Sequence, residues 1–416
     1  MMGTRQDLPD NSKMSYSEEP LNLQCLQQSV LDSPLNESTK TTISEALWDH
    51  DTPTTTAQRL HTSKAHINLS PYFHYYTKKC QHALHDGGRH VATRTHADII
   101  SCATLLKNDV PRSEIHAALY SKLTSAHPNA DEMISNSIDL CASLLLMTNF
   151  GSYSYGFSGK TCLSWPSPPQ AQSHPQFGPP QPPPESQPLG SFVHTYFTPE
   201  PRLTPSPLKD HIKLEKIFKA SNLSRIANLS ITWTDNLADH LRLTDDDTRV
   251  HIFHHASFLQ AQTESTTCLF PPGLVQETLK TLALLFPSSD RETKQWLDGV
   301  VASPGKRGAD NGEAAEIDMR ITQCGRLKTD DRQIDCFSFW RDRLVMLKQV
   351  FDEAQPKKIR QWWYDSRNGV QWYTFWVAVM VLVLTVVFGL IQSVEGALQV
   401  YASFKGMPHG GDGGGG

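Results

Sequence analysis

The feature that most limits how this chain can fold is a long apolar run near its C-terminal end. Residues 368–394 carry no acidic, basic or histidine side chain, and the part from Phe375 to Ile391 reads FWVAVMVLVLTVVFGLI. As a helix, residues 370–394 would be about 37 Å long, which exceeds the roughly 30 Å hydrocarbon core of a bilayer. A strand of that length would be far longer than normal. The run therefore predicts one transmembrane helix over residues 370–394.

The charges that flank this run predict its orientation. Four basic residues precede it, whereas Lys405 alone follows it and Glu395 lies close to its end. Cytoplasmic flanks of membrane spans are enriched in Lys and Arg, so we expect residues 1–367 in the cytosol, at an ER or other secretory-pathway membrane. The four basic residues before the span are Lys357, Lys358, Arg360 and Arg367. We also expect them to attract anionic lipid.

Aromatic side chains gather before and at the start of the span. Their amphipathic rings favour the headgroup layer, so we expect six of them at the membrane interface. They are Trp362, Trp363, Tyr364, Trp372, Tyr373 and Trp376. We call the basic and aromatic residues 356–369 the juxtamembrane collar. With no apolar signal peptide at the N-terminus and a short Gly-rich tail at 395–416, the layout is that of a tail anchor.

The remainder of the 416 residues divides by composition. Residues 1–66 are rich in Ser and Thr without a sustained apolar period, and we expect most of this segment to be disordered. Residues 67–165 and 191–355 have globular compositions. Between them, residues 166–190 form a proline-rich linker or insertion, which favours extended polyproline II geometry. The sequence leaves open whether the two globular segments form one domain.

Periodicity predicts a mainly helical fold with a small β component, α+β in class, followed by the single C-terminal transmembrane helix. Helices are expected at 95–108, 112–125 and 131–148, and short strands at 229–233 and 316–321. Thr244, followed by three aspartates, has the pattern of a helix start.

Apolar residues spaced 3, 4, 3 and 4 apart lie shortly before the collar. They are Phe337, Trp340, Leu344, Leu347 and Phe351. Two heptads are short for an independent coiled coil, so we expect this apolar seam to pack on the cytosolic domain, with weak self-association as the alternative.

Charge and motif content exclude several classes of function. The formal net charge of −5 provides no basic field for nucleic acid, and eight cysteines without a CxxC pair suit neither a disulfide scaffold nor a zinc ribbon. The segment Gly156–Thr161 ends like a phosphate-binding loop, but Ser154 stands where that motif needs glycine. We therefore predict no catalytic residue and no cofactor.

Histidine spacing suggests one weak metal site. Asp247, His251 and His255 fall at i, i+4 and i+8, which on a helix places a carboxylate and two imidazoles on one face. The alternative is an ordinary solvated or packed helix face. A histidine-rich stretch, His74, His82, His85, His90 and His96, lacks zinc-finger spacing.

Four sequence blocks together resemble an uncharacterised family of single-pass membrane proteins of filamentous fungi. The blocks are Tyr153–Gly159, Trp233–His240, Phe270–Gly273 and Gln371–Trp376. The resemblance implies the single-pass topology and supplies no catalytic residues. A CorA-like magnesium channel needs two spans and a Gly-Met-Asn signature, whereas here Gly406 and Met407 are followed by Pro408.

The leading functional hypothesis is a membrane-anchored cytosolic interaction or scaffold protein, with the bilayer and further proteins as its partners. The alternative is a membrane-tethered enzyme of a type that the motifs do not identify. A relative of the CorA-like cation transporters is the weakest of the three hypotheses.

Overall fold

The computed structural model is mostly helical, with one small sheet, as the sequence predicts. It describes residues 31, 34–48, 67–123, 128–151, 159–165, 187–199, 212–303, 316–354 and 369–406. The helices are α1 Glu37–Trp48, α2 Ser70–Ala83, α3 His96–Lys107, α4 Arg112–Lys122, α5 Ala130–Leu146, α6 Leu189–Phe197, α7 Ala220–Arg225, α8 Ala256–Glu264, α9 Leu274–Leu285, α10 Arg291–Ala302, α11 Arg341–Glu353 and α12 Gly369–Gly406. The strands are β1 Ser230–Thr234, β2 Leu243–Thr244 and β3 Arg249–Phe253.

Local signals set the bounds of the helices predicted at 95–108, 112–125 and 131–148, which α3, α4 and α5 confirm. Before α3, the Thr95 side chain accepts the backbone N–H of Asp98, and Asp98 in return accepts the backbone N–H of Thr95. Helix α5 is buried along nearly its whole length and ends where Met147 takes a left-handed φ of 45°.

The sheet has the order β1-β3-β2, with β1 and β3 parallel and β2 antiparallel to β3. Strand β1 confirms the strand predicted at 229–233. The helix expected after Thr244 is wrong, because Asp245, Asp246 and Asp247 all have positive φ, at 55°, 52° and 60°. Three consecutive left-handed residues form the turn between β2 and β3 and are incompatible with a right-handed helix.

The strand expected at 316–321 is also wrong. Met319–Gln323 form a 3₁₀ helix instead. The Asp318 carboxylate accepts the backbone N–H of Arg320 at 2.9 Å, so a local side-chain bond competes with strand pairing.

The two globular segments share one hydrophobic core. The ring of Tyr72 on α2 stacks on Phe258 of α8, with centroids 5.9 Å apart. The side-chain amide of Gln262 on α8 donates to the carbonyl of Leu145 on α5 at 3.2 Å. Helix α8 thus joins residues 67–165 to residues 191–355.

Helix α1 is a folded part of the segment 1–66, most of which we expect to be disordered and which otherwise lies outside the described residues except for residues 31 and 34–36. Ile43, Leu47 and Trp48 are fully or almost fully buried. Trp48 packs edge-on against Tyr72 at 4.8 Å and against Phe258 at 6.1 Å. An apolar stripe on α1 therefore completes the core from within a segment of polar composition.

The apolar seam packs into the domain, as predicted. Phe337, Trp340, Leu344, Leu347 and Phe351 are each at most 3% exposed. The buried Glu277 carboxylate of α9 accepts the backbone N–H groups of Ser338 and Trp340 at 2.7 and 2.8 Å, and so fixes the start of α11.

Helix α12 contains the whole predicted span. Its residues from Tyr373 to Gly406 form the one described helix that is long and apolar enough to cross a membrane, and its side chains are almost all exposed. This is consistent with a membrane anchor. At the predicted interface, Tyr373 is exposed and Trp376 is half-buried. Most of the collar, including Trp362, Trp363, Tyr364 and all four basic residues, lies outside the described residues, as does the linker from 166 to 186.

Candidate functional site

The parallel pairing of β1 and β3 brings chemically active side chains together. Thr234, the last residue of β1, is opposite Phe253, the last residue of β3. Asp235 follows the first strand, and His254 and His255 follow the second. All three therefore lie at the carboxyl edge of the parallel pair, where open α/β sheets commonly bind ligands. We call Asp235, His254 and His255 the Asp-His-His cluster.

The cluster converges on one carboxylate oxygen. Nε2 of His255 lies 2.7 Å from Oδ1 of Asp235, and Nε2 of His254 lies 3.3 Å from the same oxygen. The two imidazole rings are 4.0 Å apart between centroids and inclined by 30°. One potential ligand atom from each residue lies within 4.8 Å of the other two, which is close enough to hold a metal ion.

Burial differs sharply within the cluster. Both imidazoles are 1% exposed, whereas the side chain of Asp235 is 42% exposed. The carboxylate therefore lies between solvent and the two buried rings. Tyr75 of α2 packs near His255, and Trp233 of β1 packs edge-on against His254, with centroid distances of 6.2 and 6.1 Å.

Electrostatics favours a carboxylate beside a neutral imidazole. Burial lowers the pKa of His255 to about 4, and the neighbouring His254 adds to this effect while Asp235 opposes it. Burial raises the pKa of the Asp235 carboxyl, but its interactions with His254 and His255 outweigh burial and hold that pKa well below its usual range. At neutral pH, Asp235 is ionised and His255 is uncharged, which are the protonation states of metal ligands.

Asp318 fixes the backbone behind the cluster. This buried carboxylate accepts the N–H of Ser257, in the first turn of α8, at 2.6 Å. The backbone N–H of Asp318 donates to Nδ1 of His254 at 3.3 Å. These two hydrogen bonds orient the His254 ring and fix the start of α8, which His255 immediately precedes.

Part of the histidine-rich stretch lines a cavity of about 530 Å³. His82, His85 and His90 contribute to its wall together with Lys79. Nζ of Lys79 donates to the side-chain oxygen of Asn149 at 2.7 Å. Burial lowers the pKa of Lys79 to about 8, and the charge of Lys160 adds to this shift. The stretch therefore contributes to a cavity wall, while His96 is buried separately, with Nδ1 2.9 Å from the hydroxyl of Tyr76.

The structure separates the three residues of the sequence-predicted metal site. Asp247 lies in the turn after β2, and His251 lies within β3 with Nε2 3.0 Å from the hydroxyl of Thr244. Only His255 belongs to the Asp-His-His cluster. The prediction of one helical face is wrong because residues 249–253 form a strand, in which i and i+4 spacing has a different geometry.

Sequence reasoning missed Asp235 and His254, although each directly follows an alternating apolar segment. This pattern marks the ends of two strands, but it predicts a shared site only when β1 and β3 are known to be adjacent and parallel. The phosphate-loop-like segment has a structural role at its described end. The Thr161 hydroxyl donates to Oδ1 of the buried Asp239 at 2.6 Å, and no helix begins within residues 162–165.

No family model, curated protein or solved structure matches this chain. The resemblance to single-pass proteins of filamentous fungi stays a prediction. The geometry of the chain's own residues is therefore the basis for the functional proposals.

Proposed function

We propose that this chain is a single-pass membrane protein that holds a folded interaction or scaffold domain at the cytosolic face of an ER or secretory-pathway membrane. The observation that carries the proposal is the exposed apolar helix α12. Its 34 residues from Tyr373 to Gly406 span about 51 Å, more than the roughly 30 Å of hydrocarbon that a tilted helix must cross.

The contrast between α12 and the other described residues supports this proposal. Outside α12, four large apolar side chains are exposed, namely Tyr120, Tyr196, Met319 and Met346. On α12, Phe375, Trp376 and Val379 are half-buried, and the large apolar residues that are exposed, from Tyr373 to Phe404, are 44–75% exposed. The described residues before α12, which we call the head domain, bury most of their large apolar side chains. The apolar surface of α12 therefore needs a different apolar environment, which a bilayer supplies.

The charge asymmetry supports a cytosolic head. The four basic collar residues precede the span, and Lys405 alone follows it. The tail-anchor topology is part of the same proposal. The short collar keeps the head within reach of other proteins at the membrane surface, as an interaction or scaffold role requires.

Three exposed glycosylation sequons test the orientation. Asn36, Asn68 and Asn228 each begin an Asn-x-Ser sequence and are exposed, whereas the sequon at Asn222 is buried in the fold. Glycosidase treatment of the full chain should leave its mobility unchanged, while a sequon appended after Gly416 should be modified. A mobility shift of the unaltered chain that disappears when the three asparagines become Gln would place the head in the lumen.

Proximity labelling tests the scaffold role. The full chain should label proteins that a control carrying only the collar and α12 does not label. If both label the same proteins, the head contributes no partner and the scaffold role is wrong.

A membrane-tethered enzyme is the second candidate, and one specific observation favours it. The Asp-His-His cluster lies at the carboxyl edge of parallel strands. The ring of Tyr75 is near both this cluster and the cavity wall, 6.2 Å from the His255 ring and 5.6 Å from Nζ of Lys79. The CorA-like alternative has weaker support, since α12 is the one helix of its kind among the described residues.

A further inference from the structure

We propose that Asp235, His254 and His255 bind one divalent transition-metal ion, with Zn²⁺ as the best match, and leave one coordination position open to solvent. This goes beyond the proposed membrane role and does not depend on it. The ligand atoms are Nε2 of each histidine and Oδ1 of Asp235.

The distances in the cluster suit a small tetrahedral ion. Ligand atoms about 2.0–2.1 Å from Zn²⁺ lie about 3.3 Å from one another at tetrahedral angles. The separation between Nε2 of His254 and Oδ1 of Asp235 is 3.3 Å, which equals this value. Nε2 of His255 is 2.7 Å from that oxygen, so this pair must open by about 0.6 Å to become two ligands.

An unpartnered buried nitrogen points into the cluster. His254 is 1% exposed, and its Nε2 lies 3.3 Å from Oδ1 of Asp235. This nitrogen is not aligned for a hydrogen bond to that oxygen or to any other described residue. Buried polar atoms without partners are rare in native proteins. A metal ion at the centre of the cluster would give this nitrogen a partner and would bring positive charge to the Asp235 carboxylate.

Binding requires each imidazole to carry its proton on Nδ1. In His255 the proton can lie on Nδ1 without displacing another donor, because this buried nitrogen has no hydrogen-bond partner among the described residues. For His254, Nδ1 accepts the backbone N–H of Asp318 at 3.3 Å, and this long bond must be given up. A proton on Nδ1 would face the Asp318 N–H, so the His254 ring must turn away from that group, whereas the His255 ring must move about 0.6 Å away from Asp235.

The donor set and the exposure define the kind of ion. Two imidazole nitrogens and one carboxylate suit zinc and related transition metals, whereas Mg²⁺ and Ca²⁺ prefer oxygen ligands throughout. Catalytic zinc sites use three protein ligands and keep a fourth position for water or substrate. The 42% exposure of Asp235 provides solvent access on that side.

The test uses the full chain in detergent, stripped with a chelator and then titrated with ZnCl₂ by calorimetry, with elemental analysis after desalting. We expect one Zn²⁺ per chain. Asp235→Asn, which keeps size and changes a half-exposed residue, should weaken binding by at least about tenfold. His255→Gln should do the same. The matched controls Asp247→Asn and His251→Gln alter the same β2–β3 hairpin outside the cluster and should bind as the unaltered chain does.

Two further readouts separate the site from general metal uptake and from unfolding. Saturating Zn²⁺ should raise the melting temperature of the unaltered chain but not that of Asp235→Asn, with both showing the same circular dichroism. Co²⁺ should produce a tetrahedral visible spectrum that Asp235→Asn lacks. The proposal is overturned if the folded chain retains no stoichiometric Zn²⁺, if Asp235→Asn binds equally well, or if the controls lose binding to the same extent.

Discussion

The loss of Arg112 should destabilise the head domain through electrostatics. Its guanidinium lies 2.6 Å from Oδ1 of Asp139 on α5, and the two side chains are 12% and 10% exposed. It also donates to the carbonyl of Trp165 and to the hydroxyl of Ser135, each at 2.6 Å. The change to test is Arg112→Met, which keeps the apolar stem and removes the charge.

The magnitude follows from the buried charge that remains. Breaking a buried ion pair by removing one partner costs about 3–5 kcal/mol, and the other hydrogen bonds of Arg112 place this case near 4 kcal/mol. For a domain of this size, 1 kcal/mol shifts the melting temperature by about 2–4 °C, so we expect a fall of about 8–16 °C. Urea denaturation of the full chain in detergent, followed by tryptophan fluorescence, measures the free energy directly.

The loss should depend on pH in a defined direction. Burial raises the pKa of Asp139 above its ordinary 3.8, and Arg112 opposes that rise. Without Arg112 the pKa rises further, so lowering the pH protonates Asp139 in the folded variant and removes the uncompensated charge. The stability difference between the two chains should therefore be largest at neutral pH and shrink as the pH falls toward the ordinary pKa of an aspartate.

Two comparisons make the reasoning refutable. Arg112→Met combined with Asp139→Leu removes both charges and should recover at least half of the lost stability. Lys40→Met breaks the exposed pair with Glu37, 2.8 Å long, and should cost less than about 1 kcal/mol. If Arg112→Met costs no more than Lys40→Met, or if the double variant is no more stable than the single one, the buried-charge argument fails.

Three further predictions address the core, the buried histidines and the collar. Trp48→Ala should lower the free energy of unfolding by about 3–5 kcal/mol in urea denaturation, because Trp48 is fully buried. The control Tyr120→Ala, at an exposed residue, should change the free energy of unfolding by no more than about 0.5 kcal/mol. Equal effects would exclude α1 from the core. Burial lowers the pKa of His96 to about 4 and that of His240 to about 3. As the pH falls, these histidines therefore take up protons in the unfolded chain before they do so in the folded one, and the urea midpoint should fall between about pH 6.5 and about pH 4. A flat midpoint over that range would contradict these pKa shifts. Changing the four basic collar residues to Gln should leave the chain resistant to carbonate extraction while raising its inverted fraction in a protease-protection assay, and release into the soluble fraction would mean that α12 is not the main anchor.

Local sequence signals predicted the elements that depend on neighbouring residues. The capping box at Thr95 and Asp98 fixes the start of α3 without reference to the rest of the fold. Leu344, Leu347 and Phe351 of the seam lie on one face of α11, as their spacing predicts, whereas Phe337 and Trp340 are buried just before that helix begins. These predictions held because a helix forms its hydrogen bonds within a few residues of the chain.

Local signals missed or misassigned elements where distant partners decide the outcome. Helix α1 has few apolar residues, and its place in the core depends on Tyr72 and Phe258. The residues after Thr244 match a helix start in composition, but β3 gains its backbone partners from β1, which ends 15 residues before β3 begins. Composition alone does not contain that pairing.

The sequence by itself determined the long apolar helix at the C-terminal end, because about 25 consecutive uncharged residues are long and apolar enough as a helix to span a bilayer. It also determined helices α3, α4 and α5 and the apolar spacing of α11, since helical hydrogen bonds and apolar stripes are local. The tertiary structure alone decided the Asp-His-His cluster. Asp235 and His255 meet at 2.7 Å because two parallel strands end in register, and strand register is set by contacts between segments far apart in the chain.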